Sequence, residues 1–285
     1  MNGYDISRHQ KGINIAAVPA DFVIVKASQG SSSYVYPTFR EQITQAEQSG
    51  KLLGVYHYAS QGGAIPEAEK FLKTVSDYIG KAILCLDWEG KDNPNFKNPE
   101  YALAWLKYVE QKTGIKPFIY MSKSVARQYA SIWDPSFPFW CAQYANYQYT
   151  GYKENPWTDD KGFGPWKSCV IFQYSSRGRL PGYNNNLDLD KAYMTADQWK
   201  KYAKGEKIEP DPAPVKYPTL KKGDQNEYVR NWQIFLNLNG YECGLADGIF
   251  GPKTEAAVKS WQKNHGLKVD GIIGPKTWGS LPMLQ

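Results

Sequence analysis

The chain has 285 residues, with 34 basic and 28 acidic side chains, a formal net charge of +6, and 42% hydrophobic and 15% aromatic residues. That length exceeds a usual single domain, so one large or two unequal domains are expected, with enough apolar material for a real core. A charge this mild, without a long block of one sign, excludes a nucleic-acid tail but suits an anionic polymer such as a bacterial wall.

The opening Met1-Asn2-Gly3-Tyr4-Asp5 has neither a basic n-region nor an apolar h-region. No signal peptide is therefore expected, and no stretch is long and apolar enough to make a membrane a partner. Cys85, Cys141, Cys169 and Cys243 are scattered and form no CxxC, and His occurs only at 9, 57 and 265. This pattern implies no metal and no other cofactor. Cys85, Cys141 and Cys169 lie in apolar, strand-like runs, so buried free thiols are expected, as in a protein made in a reducing cytoplasm.

From Met1 to about Lys204 the pattern is strand followed by helix, repeated. Candidate strands are Gly3–Ile6, Asp21–Ala27, Leu52–Tyr58, Ala82–Asp87, Lys116–Met121, Phe137–Ala142, Ser168–Tyr174 and Asn186–Asp190. Candidate helices are Pro37–Ser49, Ile65–Tyr78, Pro99–Thr113 and Ser122–Ser131. In the second of these, Ala68, Phe71, Leu72 and Val75 share one helical face, and Pro66 sits near the start, where a missing N–H costs little. Eight strands with helices after only the earlier ones predict an α/β fold, an irregular (β/α) barrel with incomplete helix cover.

The run Ile83-Leu84-Cys85-Leu86-Asp87-Trp88-Glu89 ends a buried strand in two carboxylates. Alternation along the strand puts Asp87 and Glu89 on one side, roughly 6–7 Å apart at the backbone. Burial and mutual repulsion are expected to raise one pKa and leave the other low, the split a glycosidase needs for an acid and a facing anion. Other polar residues fall at predicted strand ends: Asp5, Lys26, Gln29, Tyr58, Tyr120, Gln143, Gln173 and Asp188. Asp5, Asp87, Glu89 and Asp188 converge on one barrel rim as the candidate catalytic set. Tyr58, Tyr120, Trp140 and Gln173 are candidate substrate contacts, since flat amphipathic rings suit sugars as well as cores. Taken singly, Asp5 could cap a turn, Asp188 could be a solvated loop acid, and a strand-end Tyr is commonly core.

The motifs Gly3-Tyr4-Asp5-Ile6-Ser7 with His9-Gln10, Phe22-Val23-Ile24-Val25-Lys26-Ala27-Ser28, Gly54-Val55-Tyr56-His57-Tyr58 and Leu86-Asp87-Trp88-Glu89 occur in that order. They are followed by Trp140-Cys141-Ala142-Gln143-Tyr144, Phe172-Gln173-Tyr174-Ser175-Ser176 and Leu187-Asp188-Leu189-Asp190. Over roughly the first two hundred residues this resembles the glycoside hydrolase family 25 lysozymes, the N-acetylmuramidases common among phage endolysins. The resemblance implies that Glu89 is the acid, that Asp87 orients or stabilises the transition state, and that Asp5 and Asp188 complete the cluster. Two departures stand out: Gln29, where the family usually carries Glu, and Asp190, where Asn is common.

Prolines at 210, 212, 214 and 218 mark an extended spacer that can join neither helix nor sheet. The expected division is therefore a barrel over 1–204, a linker over 205–216 and a small domain over 217–285. In that tail, Asp247-Gly248-Ile249-Phe250-Gly251-Pro252-Lys253-Thr254 is repeated as Asp270-Gly271-Ile272-Ile273-Gly274-Pro275-Lys276-Thr277. Each copy reads as a turn, an apolar plug and a Gly-Pro helix start. Helices are expected over Glu227–Asn239 and Lys253–Asn264, with a short third over Thr277–Leu281. The three-helix unit resembles the peptidoglycan-binding domain 1 family. Trp232 and Trp261 stand where smaller residues are usual and read as core, and Asn226 replaces a usual Gly, which suits a left-handed position.

The combined expectation is a modular endolysin. Made in the host cytoplasm and acting on the wall after release, it would cut the β-1,4 bond between N-acetylmuramic acid and N-acetylglucosamine in peptidoglycan, its tail anchored there. The alternatives are a wall-binding protein that does not cut, and another acetamido-sugar glycosidase such as a chitinase.

Overall fold

The apolar runs close on one another. In the computed structural model, which describes residues 1–32, 37–208, 218–278 and 280–281, the chain divides into two compact units, Met1–Ile208 and Glu209–Gln285. The proline-rich stretch over 209–217 lies outside the described residues.

The first unit is a closed barrel of β1 (Asn2–Ile6), β2 (Phe22–Gln29), β3 (Leu52–Tyr58), β4 (Ala82–Asp87), β5 (Phe118–Ser122), β6 (Phe139–Ala142), β7 (Ile171–Leu180) and β8 (Tyr183–Ala192). Each strand pairs with its neighbour in sequence, parallel from β1 to β7. The last strand, β8, runs antiparallel to both β7 and β1. Its direction follows from the connection. Only Pro181 and Gly182 separate β7 from β8, enough for a hairpin and far too short for a parallel crossover. Gly182 has φ +86, and a Cβ there would lie 2.3 Å from the Ala17 carbonyl oxygen, so the tip requires glycine.

The expected seventh and eighth strands stopped at Tyr174 and began at Asn186, whereas the structure extends both. Register shifts between Gln173 and Ser175, Ser175 and Gly178, and Gly178 and Leu180 break the apolar alternation there, which hid the hairpin in the sequence.

Helix cover is uneven, as expected. Helices α1 (Pro37–Gln48), α2 (Ala64–Thr74), α3 (Pro99–Thr113) and the short α4 (Lys123–Gln128) follow β2 to β5 in turn. The second helix is shorter than expected, and the chain continues through a 3-10 turn over Ser76–Tyr78. An unexpected helix, α5 (Ala196–Lys204), follows β8. Its capping box is complete: Thr195 accepts from the Gln198 backbone and Gln198 reaches back to Thr195. It closes the floor of the barrel. The Trp199 ring lies tilted 4.6 Å from Phe22 and donates through Nε1 to the Leu53 carbonyl, at the starts of β2 and β3.

Above that floor the barrel is solid. Phe22, Ile24, Ile83, Cys85, Phe118 and Ile171 fill the lumen, with Tyr56, Tyr120 and Trp140 in the same cluster. A second cluster fills the space between strands and helices. Since parallel strands point their C-terminal ends one way, the polar residues that end them meet at the opposite rim.

The second unit holds α6 (Glu227–Leu238), α7 (Pro252–Asn264) and α8 (Pro275–Trp278) around Val229, Trp232, Leu236, Val258, Trp261 and Trp278. The sequence repeat is a structural repeat. Gln233 Nε2 donates to Asp247, the Ile249 carbonyl and Thr254, and Gln233 Oε1 accepts from Gly248 N. Gln262 makes the same four bonds with Asp270, Ile272, Thr277 and Gly271. Each buried amide thereby ties a turn to a helix with every donor and acceptor spent. Asn226 is not left-handed: its φ is −169, and its side chain caps α6 by accepting from Val229 N at 3.0 Å. A cap needs a short polar side chain, and Asn supplies one where Gly cannot.

Candidate active site

Three strands, β1, β4 and β8, deliver the four rim acids. Antiparallel pairing sets Asp188 of β8 directly opposite Asp5 of β1. Asp87, the last residue of β4, pairs with Tyr58 of β3 on one side and Tyr120 of β5 on the other. The chain then leaves the strand, and Trp88 turns outward to pack against Phe96 and Tyr101. Glu89 comes back over the rim. All four expected acids line one pocket of about 310 Å³, together with Tyr58, Tyr120, Trp140 and Gln173.

Gln173 organises the pocket's inner wall. Its Oε1 accepts from the hydroxyls of Tyr120 at 2.8 Å and Tyr144 at 2.5 Å, and its Nε2 donates to Asp5 Oδ2 at 2.5 Å. Those bonds fix which way the amide faces, and with it the Asp5 carboxyl. On the opposite side, Lys26 Nζ donates to Gln29 Oε1 at 2.9 Å and sits 4.2 Å from the centre of the Tyr58 ring. The Tyr58 hydroxyl donates to the Lys91 carbonyl, which pins the loop after β4.

The electrostatics follow from crowding. Asp87 is raised well above the usual carboxylate range by burial first and then by Glu89, with Lys26 opposing. Glu89 is also raised: protein packed around its carboxyl outweighs the pull of Lys26 and the Tyr120 hydroxyl, although the residue is exposed at the pocket mouth. Asp188 is pushed up to about 6 by burial and by Glu89. Asp5 is raised well above its ordinary value by burial, with Asp188 and Asp190 adding. Burial lowers Lys26 to about 8, although Asp87 pulls the other way. The expectation of one raised and one low carboxyl is therefore corrected. Both Asp87 and Glu89 rise, because burial outweighs the pull of Lys26 on each, and for Asp87 the charges of Glu89 and Asp188 add to it. These acids share protons as a group.

Two residues carry more than the sequence suggested. Trp140 lines the pocket but is only 2% exposed, its ring 4.6 Å from Tyr120, and its Nε1 donates to Asp190 Oδ1 at 2.8 Å. It is part of the wall and offers sugars little face. Asp190, fully buried, also lies within hydrogen-bond reach of Asp5 and is raised well above its ordinary value by burial. Two carboxyls in contact require a proton between them. The signal was available: Asp190 is two residues from Asp188, so it shares the inward face of β8.

A separate triad-like chain, Ser28 Oγ to His57 Nδ1 at 2.8 Å and His57 Nε2 to Glu67 at 3.0 Å, is sealed between strand and helix. All three residues are buried, so the hydroxyl is no nucleophile for a substrate. Among the described residues, no group of three or more His, Cys, Asp or Glu is placed to hold a metal ion.

The family model of the glycosyl hydrolases family 25 matches residues 4–183, more than half of the chain and the whole of the acid cluster up to β8. The chain belongs to glycosyl hydrolases family 25. A peptidoglycan binding domain model matches residues 225–281. The autolytic lysozyme of Clostridium acetobutylicum is 28% identical over 286 residues, covering 98% of this chain and 78% of that protein. An uncharacterized Escherichia coli O157:H7 protein, YegX, is 29% identical over 220 residues, covering 74% of this chain and 76% of that one. Among solved structures, a family 25 lysozyme from Aspergillus fumigatus superposes with a TM-score of 0.58 at 25% identity, covering 72% of this chain and 99% of that one. This family 25 chain is thus a lysozyme-type glycoside hydrolase joined to a peptidoglycan-binding domain, a cell-wall lytic muramidase.

Proposed function

We propose that the pocket cleaves the β-1,4 bond between N-acetylmuramic acid and N-acetylglucosamine, with Glu89 donating the proton to the glycosidic oxygen. The observation that carries this assignment is the division between the two central acids: Asp87 is buried beneath the rim, while Glu89 stands at the open mouth with a raised pKa. A proton donor must reach the leaving oxygen and be able to hold its proton, and the exposed position and raised pKa of Glu89 favour both. Asp87 then faces the sugar from below. It stabilises positive charge there, or orients the 2-acetamido group to attack within its own ring, as in substrate-assisted glycosidases. Gln173 and Asp5 hold the geometry, and Tyr58 and Tyr120 border the sugar.

The tail anchors the enzyme on the wall and raises its effective concentration there. The role is that of an endolysin, made in a host cytoplasm and reaching the wall on release. Four buried, unpaired thiols support synthesis in a reducing compartment. The test is mass spectrometry of purified peptidoglycan digested by the enzyme and then reduced with borohydride. Fragments ending in reduced N-acetylmuramic acid are expected; ends in reduced N-acetylglucosamine would show cleavage of the other bond, and no release would leave a binding protein.

A further inference from the structure

Beyond the pocket, an aromatic and cationic ledge continues from its wall. Tyr144, which lines the pocket, meets Tyr147 edge to face at 6.1 Å. Arg177 Nη1 donates to the Tyr147 carbonyl at 3.0 Å, and its Nη2 donates to the Tyr149 hydroxyl at 3.1 Å. Two guanidiniums lie against the Tyr149 ring, Arg177 at 4.5 Å and Arg179 at 4.4 Å from its centre. A bridge between Thr150 and Gly178 holds the loop beside β7. Arg177 and Arg179, two apart on β7, flank that bridge.

Three features are hard to assign to fold stability alone. Like charges crowd one ring, and among the described residues neither guanidinium meets a carboxylate. Tyr147 and Tyr149 stay 67% and 56% exposed. The Tyr149 oxygen accepts from Arg177, which leaves its O–H free to donate outward. Both guanidiniums are half-buried and Arg179 Nη1 is buried without a partner, so a ligand would meet their other N–H groups. Guanidiniums bind carboxylates in a fork, and a cation over an aromatic face keeps its charge available for such a partner.

We propose that the Arg177–Tyr149–Arg179 ledge is a binding site for the carboxylates of the stem peptide carried by the glycan strand being cut. The occupant follows from position: the ledge is continuous with the pocket through Tyr144 and Tyr147, so an anion covalently attached to the bound strand arrives there without a second molecule. This rests on peptidoglycan strands being the substrate of the pocket.

The experiment compares soluble, uncrosslinked, teichoic-acid-free peptidoglycan strands with the same strands stripped of peptides by an amidase. Wild-type full-length enzyme, Arg179→Gln, Arg177→Gln/Arg179→Gln and the charge-keeping Arg177→Lys/Arg179→Lys are assayed on both, and on whole walls carrying teichoic acid. The double Gln variant is expected to lose about tenfold or more in kcat/KM on peptide-bearing strands, through KM, as losing charge-assisted hydrogen bonds implies. On stripped strands it should stay within about twofold of wild type, with kcat unchanged on both. The Lys variant should recover part of the loss. Equal losses on both substrates would assign the arginines to holding the loop, and no loss on either would leave the ledge without contact to substrate. A loss seen only on whole walls carrying teichoic acid would give the site to a phosphate polymer. Each of these three overturns the proposal. Failure of the wild type to cut either strand would instead sink the assignment of the pocket itself.

Discussion

Replacing Asp188 with Asn should stabilise the protein while damaging its activity, and the sign depends on pH. The carboxyl rises from an ordinary 3.8 to about 6 in the folded state, through burial and the nearby Glu89. A group whose folded pKa is raised contributes stability only while it holds its proton. That contribution is fully present below the unfolded value and is lost as pH rises through the folded one. At pH 7 the ionised Asp188 therefore costs the fold about 2 pKa units, on the order of 3 kcal/mol at 1.36 kcal/mol per unit. Asn keeps the shape and cannot ionise. Because Asp188 shares its proton with Glu89 and Asp5, part of the relief belongs to them, and about half of that figure is a fair lower expectation. A unit of this size gains about 2–4 °C per kcal/mol, so the midpoint at pH 7 should rise by roughly 3–10 °C. The assay is thermal melting of both proteins at pH 3.5 and pH 7, with wall lysis measured alongside. At the acid value both side chains are neutral and the difference should vanish. A midpoint shift that is equal at the two pH values, or a destabilised variant at pH 7, would refute the reasoning.

Activity should fall as pH rises through the raised carboxyls, with the best rate on the acid side of neutrality, because Glu89 must start protonated and burial raises it above the ordinary glutamate value; a rate that climbs steadily from pH 5 to 9 contradicts this. Reducing agent should leave melting temperature and rate unchanged, since Cys85, Cys141, Cys169 and Cys243 are all buried and unpaired; a large drop on reduction would reveal a bridge, with Cys141 and the neighbouring Cys169 the first pair to examine. A chain ending at Ile208 keeps the barrel and its α5 floor, so it should fold and cut short soluble glycans near the full-length rate. On intact walls it should lag at low wall concentration and catch up as walls saturate, because tethering matters least when substrate is abundant; an insoluble fragment, or equal rates at every concentration, would remove the anchoring role from the tail.

The strands and the rim acids were legible because the physics that places them is local. An apolar run ending in a polar residue is a barrel strand meeting its rim, and Asp5, Asp87 and Asp188 were found that way. Parity along the chain put Glu89 beside Asp87, and the pocket contains both. The β7–β8 hairpin was not legible, because its bulged register around Ser175 and Gly178 obeys no two-residue period. Helix α5 escaped for a different reason: its lysines mask a buried face of Trp199 and Ala203, although Thr195 and Gln198 spell a capping box. The titration order could not be read at all. It depends on which acids lie within a few ångströms of one another, and that is fixed by strands far apart in sequence. The buried Asp190, holding Trp140 on one side and Asp5 on the other, is the plainest case.

The central claim is that Glu89 protonates the leaving oxygen, and leaving-group dependence tests it most directly. Glu89→Gln and wild type are assayed on a natural N-acetylated oligosaccharide strand and on the matching aryl glycoside, whose phenolate leaves without help. The account predicts a loss of about 10²–10⁴-fold on the natural strand, where the poor leaving group needs its proton, and a much smaller loss on the aryl glycoside. Near-full activity on the natural strand, or an equal loss on both substrates, would contradict it and move the acid role to Asp188 or Asp5.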